Sequence, residues 1–524
     1  MAITRMAEYK PLSFSTTMRN PERIVEFLNC ILPFEGKILT NEIIHEVTVN
    51  LISKKLYFTQ KYEMKIPEYK AIYADENARF TREQVEDIIK NSPQNHKEAG
   101  FEKGWPSRFD TWYKLPMEFG FIYYEMDKPI EISTTGHMLI DALNENPKND
   151  EKIRNVFLNA LMKYQTNNPF RKNANANAAL PLLLKVIKLL KEDQDENDAG
   201  VFRKELSLLI CWPDNDAEAV YAKIKEIRHK YGYTYGDEVI YEICLKLLNA
   251  TSEQKNRFKI NQITGEAVDE FIRKMRITGV VSLRGNGRFL DFNSFEINKI
   301  DYILDNYYTY MTYASKYDYF KYMGEIDNSI LEIKEIHQED IEDVKIRTLN
   351  KWANEYSKED IIKELNIVCG KTESKNDILR IIDRPTRLEF LTSIALKQNF
   401  ADLEVYPSYH IDDEGIPTFT ASGGMADIEC FDKESNPLVE VTLMCARNQA
   451  TNEVPAITRH LQEAVAKYPS KIVFTILVAP SIHADTIYMT EFSKSRYKVD
   501  ILPMTVVEFV EQIQSNSKIA DLLV

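Results

Sequence analysis

With 524 residues, 44% of them hydrophobic and 28% charged, the chain has ordinary globular composition and the length of about three domains of ~150 residues. No run approaches ~18 uninterrupted apolar residues, and the polar stretch Met1–Lys10 leads into no apolar core of a secretory leader, so the expectation is a cytoplasmic protein with no membrane span. The net charge of −14 speaks against a chain that binds nucleic acid over its whole surface, but leaves room for a local basic face beside acidic segments such as 191–198 and 338–343.

Six cysteines (Cys30, Cys211, Cys244, Cys369, Cys430, Cys445) are scattered with no CxxC pair. They read as free thiols rather than a structural zinc site. The fold class expected is α+β and multidomain, with boundaries near 150, 300 and 375. In 1–150, Ser107-Arg108-Phe109-Asp110 looks like a capping-box start to a helix reaching Phe119. Gly120–Tyr124 and Pro129–Ile132 then read as two short strands around Met126-Asp127-Lys128. Thr134-Thr135 caps a further helix through Leu143. Helix, β-hairpin and helix make either a winged-helix module or a generic α+β fragment.

The region 151–300 reads as helical up to Gly265, with a helix over Glu266–Met275. Strands at Ile277–Leu283 and Phe289–Phe292 flank Arg284-Gly285-Asn286-Gly287-Arg288. Asn-Gly is a strong hairpin signal because a type I′ turn needs positive φ at both centres. Arg273, Lys274, Arg276, Arg284 and Arg288 form the densest basic cluster in the chain. They suit a second wing on DNA, with Arg108 as a further contact, or else a solvated hairpin. Residues 301–375 are rich in tyrosine (Tyr302, Tyr307, Tyr308, Tyr310, Tyr313, Tyr317, Tyr319, Tyr322) and read as a helical connector, its rings packing between domains rather than stacking on bases.

From 376 to 524 the texture becomes α/β. A helix starts at Pro385-Thr386 and carries Arg387, Glu389 and Phe390. Strand-like runs follow near Leu403–Tyr409, Asp427–Phe431 and Leu438–Met444. A helix over Pro455–Tyr468, a buried-type strand over Lys471–Val478, a strand over Val499–Leu502 and a helix from Thr505 complete the pattern. Strand alternation puts Leu438, Glu440 and Thr442 on one face and Val439, Val441 and Leu443 on the other. A turn at Asp432–Asn436 folds the second strand back, bringing Asp427 near Glu440. Two such carboxylates, with the carbonyl of Val441, form an oxygen set of the kind Mg²⁺ prefers, and Mg²⁺ would activate water for phosphodiester hydrolysis. Glu389 would reach a ligand's water. Read by spacing alone, Asp427 and Glu440 are also compatible with solvated hairpin residues.

Several ordered segments add specificity. They are Phe119-Gly120-Phe121 through Ile132–Leu139, Arg276–Val280 through Arg284–Gly287, and Ala421–His460. The last contains Ala421-Ser422-Gly423-Gly424, Asp427-Ile428-Glu429, Glu440-Val441-Thr442, Glu453-Val454-Pro455 and Thr458-Arg459-His460. With these the chain resembles the AlwI-type group of type IIS restriction endonucleases. The resemblance implies a winged-helix-like N-terminal recognition part, a helical connector and a C-terminal PD-(D/E)XK nuclease domain. It implies Asp427 and Glu440 as metal-binding acids, Glu389 as the helix acid and Glu453 as a further acid. Thr442 stands where the wider superfamily has lysine, so the partner of the attacking water falls to Glu453, Arg459 or His460. The implied activity is Mg²⁺-dependent cleavage of double-stranded DNA a few base pairs outside a short asymmetric site, in a prokaryotic cytoplasm. A transient homodimer or a small partner subunit would cut the second strand; without one the chain would nick. Rival readings are a repair or recombination nuclease, a DNA-binding regulator with an inactive nuclease domain, and a protein scaffold.

Overall fold

The structure is a computed structural model that describes residues 7–523 except 16–17, 19–20, 60, 75–77, 146–148, 172, 194–199, 251–256, 337–339, 371 and 446. Residues 194–198 and 338–339 of the acidic segments therefore lie outside the described residues. The chain divides into two units. One holds Met1–Lys65, Phe80–Glu145 and Asn149–Ile336; the other holds Ile66–Arg79, Asn146–Lys148 and His337–Val524.

In the first unit, a helix over Trp105–Glu118 precedes the antiparallel pair β1 (Ile122–Tyr123) and β2 (Glu131–Ile132), followed by a helix over Thr134–Asn144. The order is the expected one, but both caps move. The first helix starts at Trp105-Pro106, behind Gly104 at φ +112, because proline is pre-organised for a first turn. Ser107 is a buried helical residue whose hydroxyl donates to the Glu102 carbonyl. The second helix is capped by Ser133, which accepts from the Gly136 amide at 3.0 Å, rather than by Thr134 or Thr135. Gly120 is required twice over. Its φ is +77, and a Cβ there would lie 2.4 Å from the Met323 Cβ.

Further along the same unit, a helix over Ala267–Ile277 leads into β4 (Val281–Arg284) and β5 (Phe289–Phe292). The register pairs Arg284 with Phe289, so the loop is longer than a two-residue turn. Gly285, Asn286 and Gly287 all have positive φ. A short strand unforeseen from sequence, β3 (Val201–Phe202), pairs with β5 and makes the sheet order β3-β5-β4.

The predicted connector does not behave as one body, since the boundary between units follows Ile336. Its tyrosines pack inside the first unit. Tyr302 and Tyr307 both donate to Asp327, Tyr308 donates to the Asn215 carbonyl and Tyr310 to that of Asn167. Tyr319 is fully buried, edge-on to Tyr313. This is packing within a unit, in place of the interdomain packing expected.

The helices over Ile341–Glu355 and Lys358–Cys369 belong to the second unit, where Trp352 meets Phe390 of the helix over Arg384–Asn399 edge-on at 5.0 Å. Among the described residues seven strands follow: β6 (Glu404–Pro407), β7 (His410–Ile411), β8 (Pro417–Phe419), β9 (Ile428–Phe431), β10 (Leu438–Val441), β11 (Thr475–Ala479) and β12 (Ile501–Thr505). The main sheet runs β12-β11-β10-β9-β6. β6, β9 and β10 are antiparallel neighbours, while β10, β11 and β12 are parallel. The two parallel steps cross over through helices at Val454–Lys467 and Ala484–Tyr497. Alternation sorts the two faces. Ile428, Val439, Ile476 and Val478 pack with Leu388, Phe390 and Phe509; Leu477 and Ile501 pack with Val454, Ile457 and Leu461. Strand β10 ends at Val441 rather than Met444 because the Thr442 hydroxyl oxygen captures the Met444 amide and turns the chain.

Candidate active site

Glu440 sits on the face of β10 opposite Val439, at the register position of Leu477, under the helix over Val454–Lys467. It is 7% exposed, and its Oε1 lies 3.0 Å from His460 Nδ1 on that helix. Asp427 precedes β9 and is half-buried. Its Oδ2 accepts from the Val441 amide at 2.7 Å, and its own amide points at Glu440 Oε2 at 3.4 Å. So the antiparallel return of β9 on β10 does bring the two acids together, and Val441 meets Asp427 through its N–H.

Glu453 joins from the end of a π-helical turn, Gln449–Glu453, that feeds the helix carrying His460. Its Oε1 accepts the Thr442 hydroxyl at 3.1 Å. Such turns, one residue wider than an α turn, occur often at functional sites. Gln449 anchors this one, donating to the carbonyls of Met444 and Ser481 and accepting from the His483 amide and the Thr486 hydroxyl.

Burial raises the proton affinity of all three carboxylates, and the charge of Glu453 adds to the rise at Asp427 and Glu440. Burial, then the neighbouring Glu440, pushes the Asp427 carboxyl well above its usual range. Burial pushes Glu440 up to about 8, against the opposing pull of the Asp427 amide. Burial also raises Glu453, opposed by the Thr442 hydroxyl. His460 is pushed down by burial, with Arg459 adding to the effect, so it adds little positive charge near neutrality. Among the described residues, no set of three His, Cys, Asp or Glu side chains already forms a cation cage.

Glu389 stands one step back. It is buried at 3% exposure and accepts the Ala421 amide, in the loop that leads to Asp427. That loop has two more supports unforeseen from sequence. Ser408 donates its amide to the Asp427 carbonyl (2.8 Å) and its hydroxyl to the Ala426 carbonyl (2.7 Å). His410 Nε2 meets Ser422 Oγ at 2.9 Å. A lone serine between Pro407 and Tyr409 carries no sequence signal for such a role.

The basic residues of the first unit differ in burial and in partners. Lys274 has no exposed surface and donates to the Met18 carbonyl; Arg276 is 7% exposed. Both lie on the inner side of their helix, because the stripe containing Phe271, Ile272 and Met275 turns them inward. Arg273 is half-buried. Arg284 is held by Asp291 and the Phe292 carbonyl. Arg108 lies over Tyr57 and Trp112 with one nitrogen 2.8 Å from His96 Nε2. Arg288 is exposed at the hairpin loop, over Phe202 and Phe289.

The chain is similar to known proteins. The model of the AlwI restriction endonuclease family matches residues 117–367 and 320–512. Among solved structures, the small subunit (R.BspD6I2) of the heterodimeric restriction endonuclease R.BspD6I is 23% identical, covering 30% of this chain and 77% of that one, with a TM-score of 0.26. Restriction endonuclease FokI is 10% identical, covering 99% of this chain and 98% of its own; its TM-score is 0.25 in the DNA-bound structure and 0.26 in the other. No curated protein matches the chain. The family match carries the assignment, since its two spans take in the hairpin before Ser133, the basic hairpin and every acid of the site. The chain belongs to the AlwI restriction endonuclease family and is a restriction endonuclease, a site-specific deoxyribonuclease.

Proposed function

We propose that the first unit reads a short asymmetric duplex site through winged-helix-like hairpins, and that the second is a PD-(D/E)XK nuclease that cuts a few base pairs away with Mg²⁺. The observation that carries this reading is Asp427 against Glu440 across adjacent strands, with the Val441 amide on one and His460 on the other. The helix–strand order around them, an antiparallel β6-β9-β10 meander followed by parallel β11, suits the nuclease fold. β3 against β5 suits a three-stranded wing. No described helix is long and apolar enough to cross a membrane, in keeping with a cytoplasmic enzyme.

The donor chemistry fits a divalent cation. Buried carboxylates with raised proton affinity and a poorly protonated His460 leave negative charge to be balanced, and their oxygens are the hard ligands Mg²⁺ takes. Asp427, Glu440 and the Val441 carbonyl would hold it. When bound, it supplies Lewis-acid stabilisation of the phosphate and a more acidic water. The residues do the rest. His460 fixes the orientation of the Glu440 carboxylate, and Thr442 fixes that of Glu453. Glu453, with its raised proton affinity, takes the proton of the attacking water as the new P–O bond forms. The P–O bond to the leaving oxygen breaks, and that oxygen is protonated from solvent. Glu389, Ser408 and His410 hold the loop that presents Asp427.

One second unit provides one site, so duplex cleavage calls for a second copy or a smaller partner subunit, and a lone chain nicks. Supercoiled plasmid incubated with Mg²⁺, beside Asp427→Ala, tests the reading. Ends at a fixed offset from one short sequence, absent with the variant, support it. Intact plasmid with both Mg²⁺ and Mn²⁺ overturns it in favour of a DNA-binding regulator.

A further inference from the structure

The hydrogen bond from Thr442 to Glu453 closes the chain between them into a ring, braced across its middle by Gln449 on the Met444 carbonyl. Gln449 and Ala450 are buried, while Arg447, Asn448, Thr451 and Asn452 are exposed to solvent. Arg447 is the sole charged residue between Thr442 and Glu453. In a chain of net charge −14, these exposed positions offer one guanidinium, two amides and a hydroxyl, and no acid. A DNA backbone brings one negative charge per phosphate, which has to be met by cations. Thr442 supplies no charge where a lysine would, and burial pushes His460 toward its neutral form. Arg447 is the cation that the ring itself supplies.

Arg447 is already held by an anion. Its Nε lies 3.0 Å from Oδ2 of Asp485, and the two side chains are 73% and 45% exposed. Asp485 sits in the first turn of the helix over Ala484–Tyr497, where the helix dipole favours a carboxylate whether or not Arg447 is near. A carboxylate and a phosphate offer a guanidinium fork the same pair of oxygens. We propose that the ring Thr442–Glu453 is the lip by which the second unit grips the DNA backbone, that Arg447 binds a phosphate beside the one being cut, and that the Asp485 carboxylate stands in for that phosphate until DNA displaces it; this rests on reading the unit as a nuclease. Asn448, Thr451 and Asn452 add neutral donors along the same backbone. An exposed ion pair is weak, so one anion readily replaces the other. While Asp485 covers Arg447, the second unit holds DNA poorly by itself, and cutting waits until the first unit has bound its sequence and raised the local concentration of backbone at the lip.

The test uses the full chain and plasmid DNA, with Arg447→Gln, Arg447→Lys and Asp485→Asn set beside the parent once circular dichroism shows each folded. Affinity is measured against salt concentration in Ca²⁺, and single-turnover cleavage against protein concentration in Mg²⁺, with the ends sequenced. Arg447→Gln is expected to raise the half-saturating protein concentration several-fold and to lower the salt slope by about one. Arg447→Lys keeps the slope and loses part of the affinity, because lysine has the charge without the fork. Asp485→Asn moves the other way: it binds several-fold more tightly and leaves more ends away from the fixed offset. An unchanged salt slope for Arg447→Gln overturns the lip, whatever happens to its rate. An Asp485→Asn variant that binds no more tightly than the parent overturns the displacement, and one that weakens as Arg447→Gln does makes the pair a brace for the ring. Absence of cutting by the parent would fall on the nuclease reading, while the salt slopes in Ca²⁺ still decide whether Arg447 meets a phosphate.

Discussion

The Thr442 hydroxyl donates to Glu453 while its oxygen accepts the Met444 amide, at 3.1 and 3.0 Å. A neutral side chain at this place cannot stabilise charge as lysine does, but it can hold an acid still. Thr442→Val keeps the shape and removes both contacts. It is expected to lower the cleavage rate by about 10²-fold with DNA affinity unchanged, the order associated with losing a positioned general base. Single-turnover cleavage measures this, and an undiminished rate would remove Glu453 from the role of base.

Asp427→Asn and Glu440→Gln keep hydrogen-bonding capacity but remove the charge a cation needs. Each is expected to lower cleavage by at least ~10³-fold, the scale of losing a principal electrostatic contribution. Gel-shift affinity for DNA in Ca²⁺ or without metal should hold, since the proposed reading assigns DNA recognition to the first unit. Residual cutting within a few-fold of the parent would sink the metal assignment.

Glu440 is raised from 4.5 to about 8, and Asp427 is raised as well. The folded, metal-free protein therefore binds these protons more tightly than the unfolded chain. That stabilisation is fully present below the unfolded pKa and is lost as pH rises through about 8. Glu440→Gln is thus expected to melt progressively higher than the parent from pH 5 to 8. Mg²⁺ should close the gap, raising the parent's melting temperature more at pH 8 than at pH 5. Thermal melts in EDTA and in Mg²⁺ read this directly; a gap that does not vary with pH contradicts it.

Arg288→Ala and Lys274→Met should separate contact from scaffold. Arg288 is exposed at the basic hairpin, so its loss is expected to weaken DNA binding several-fold and lower the salt slope by about one. Lys274 is buried on the Met18 carbonyl. Its replacement should cost about 1–3 kcal/mol of stability by leaving that carbonyl unpaired, with the salt slope unchanged. Affinity measured against salt concentration, beside urea melts, distinguishes the two. A lowered slope for the Lys274 variant would show that the helix face rearranges on DNA.

Much of the second unit was legible because its strands are period-two or continuously apolar runs: Ile428–Phe431, Leu438–Val441 and Thr475–Ala479. The acid pair followed from alternation plus one turn. What escaped depended on long-range neighbours. β3 is two residues long and exists through β5; β7 and β8 are similarly short. Helix Ala484–Tyr497 carries no conventional apolar stripe toward the core, so periodicity does not announce it. The basic cluster around Arg273 was dense in sequence, but Lys274 and Arg276 fall on the buried face of their helix, so little of it is exposed. Ser107 met the pattern of a cap, yet Trp105-Pro106 had already begun the helix.

The π-helical turn Gln449–Glu453 makes the site sensitive to chain length as well as to residue identity. Deleting one residue within it would let the backbone relax to α pitch and change the phase between Gln449 and Glu453 by roughly 100°. Val454, Ile457 and Leu461 would remain seated on the sheet, but the amide anchor and the acid could no longer both reach their partners. A folded protein that neither nicks nor cuts could thus arise from the loss of a single codon, with every carboxylate still present.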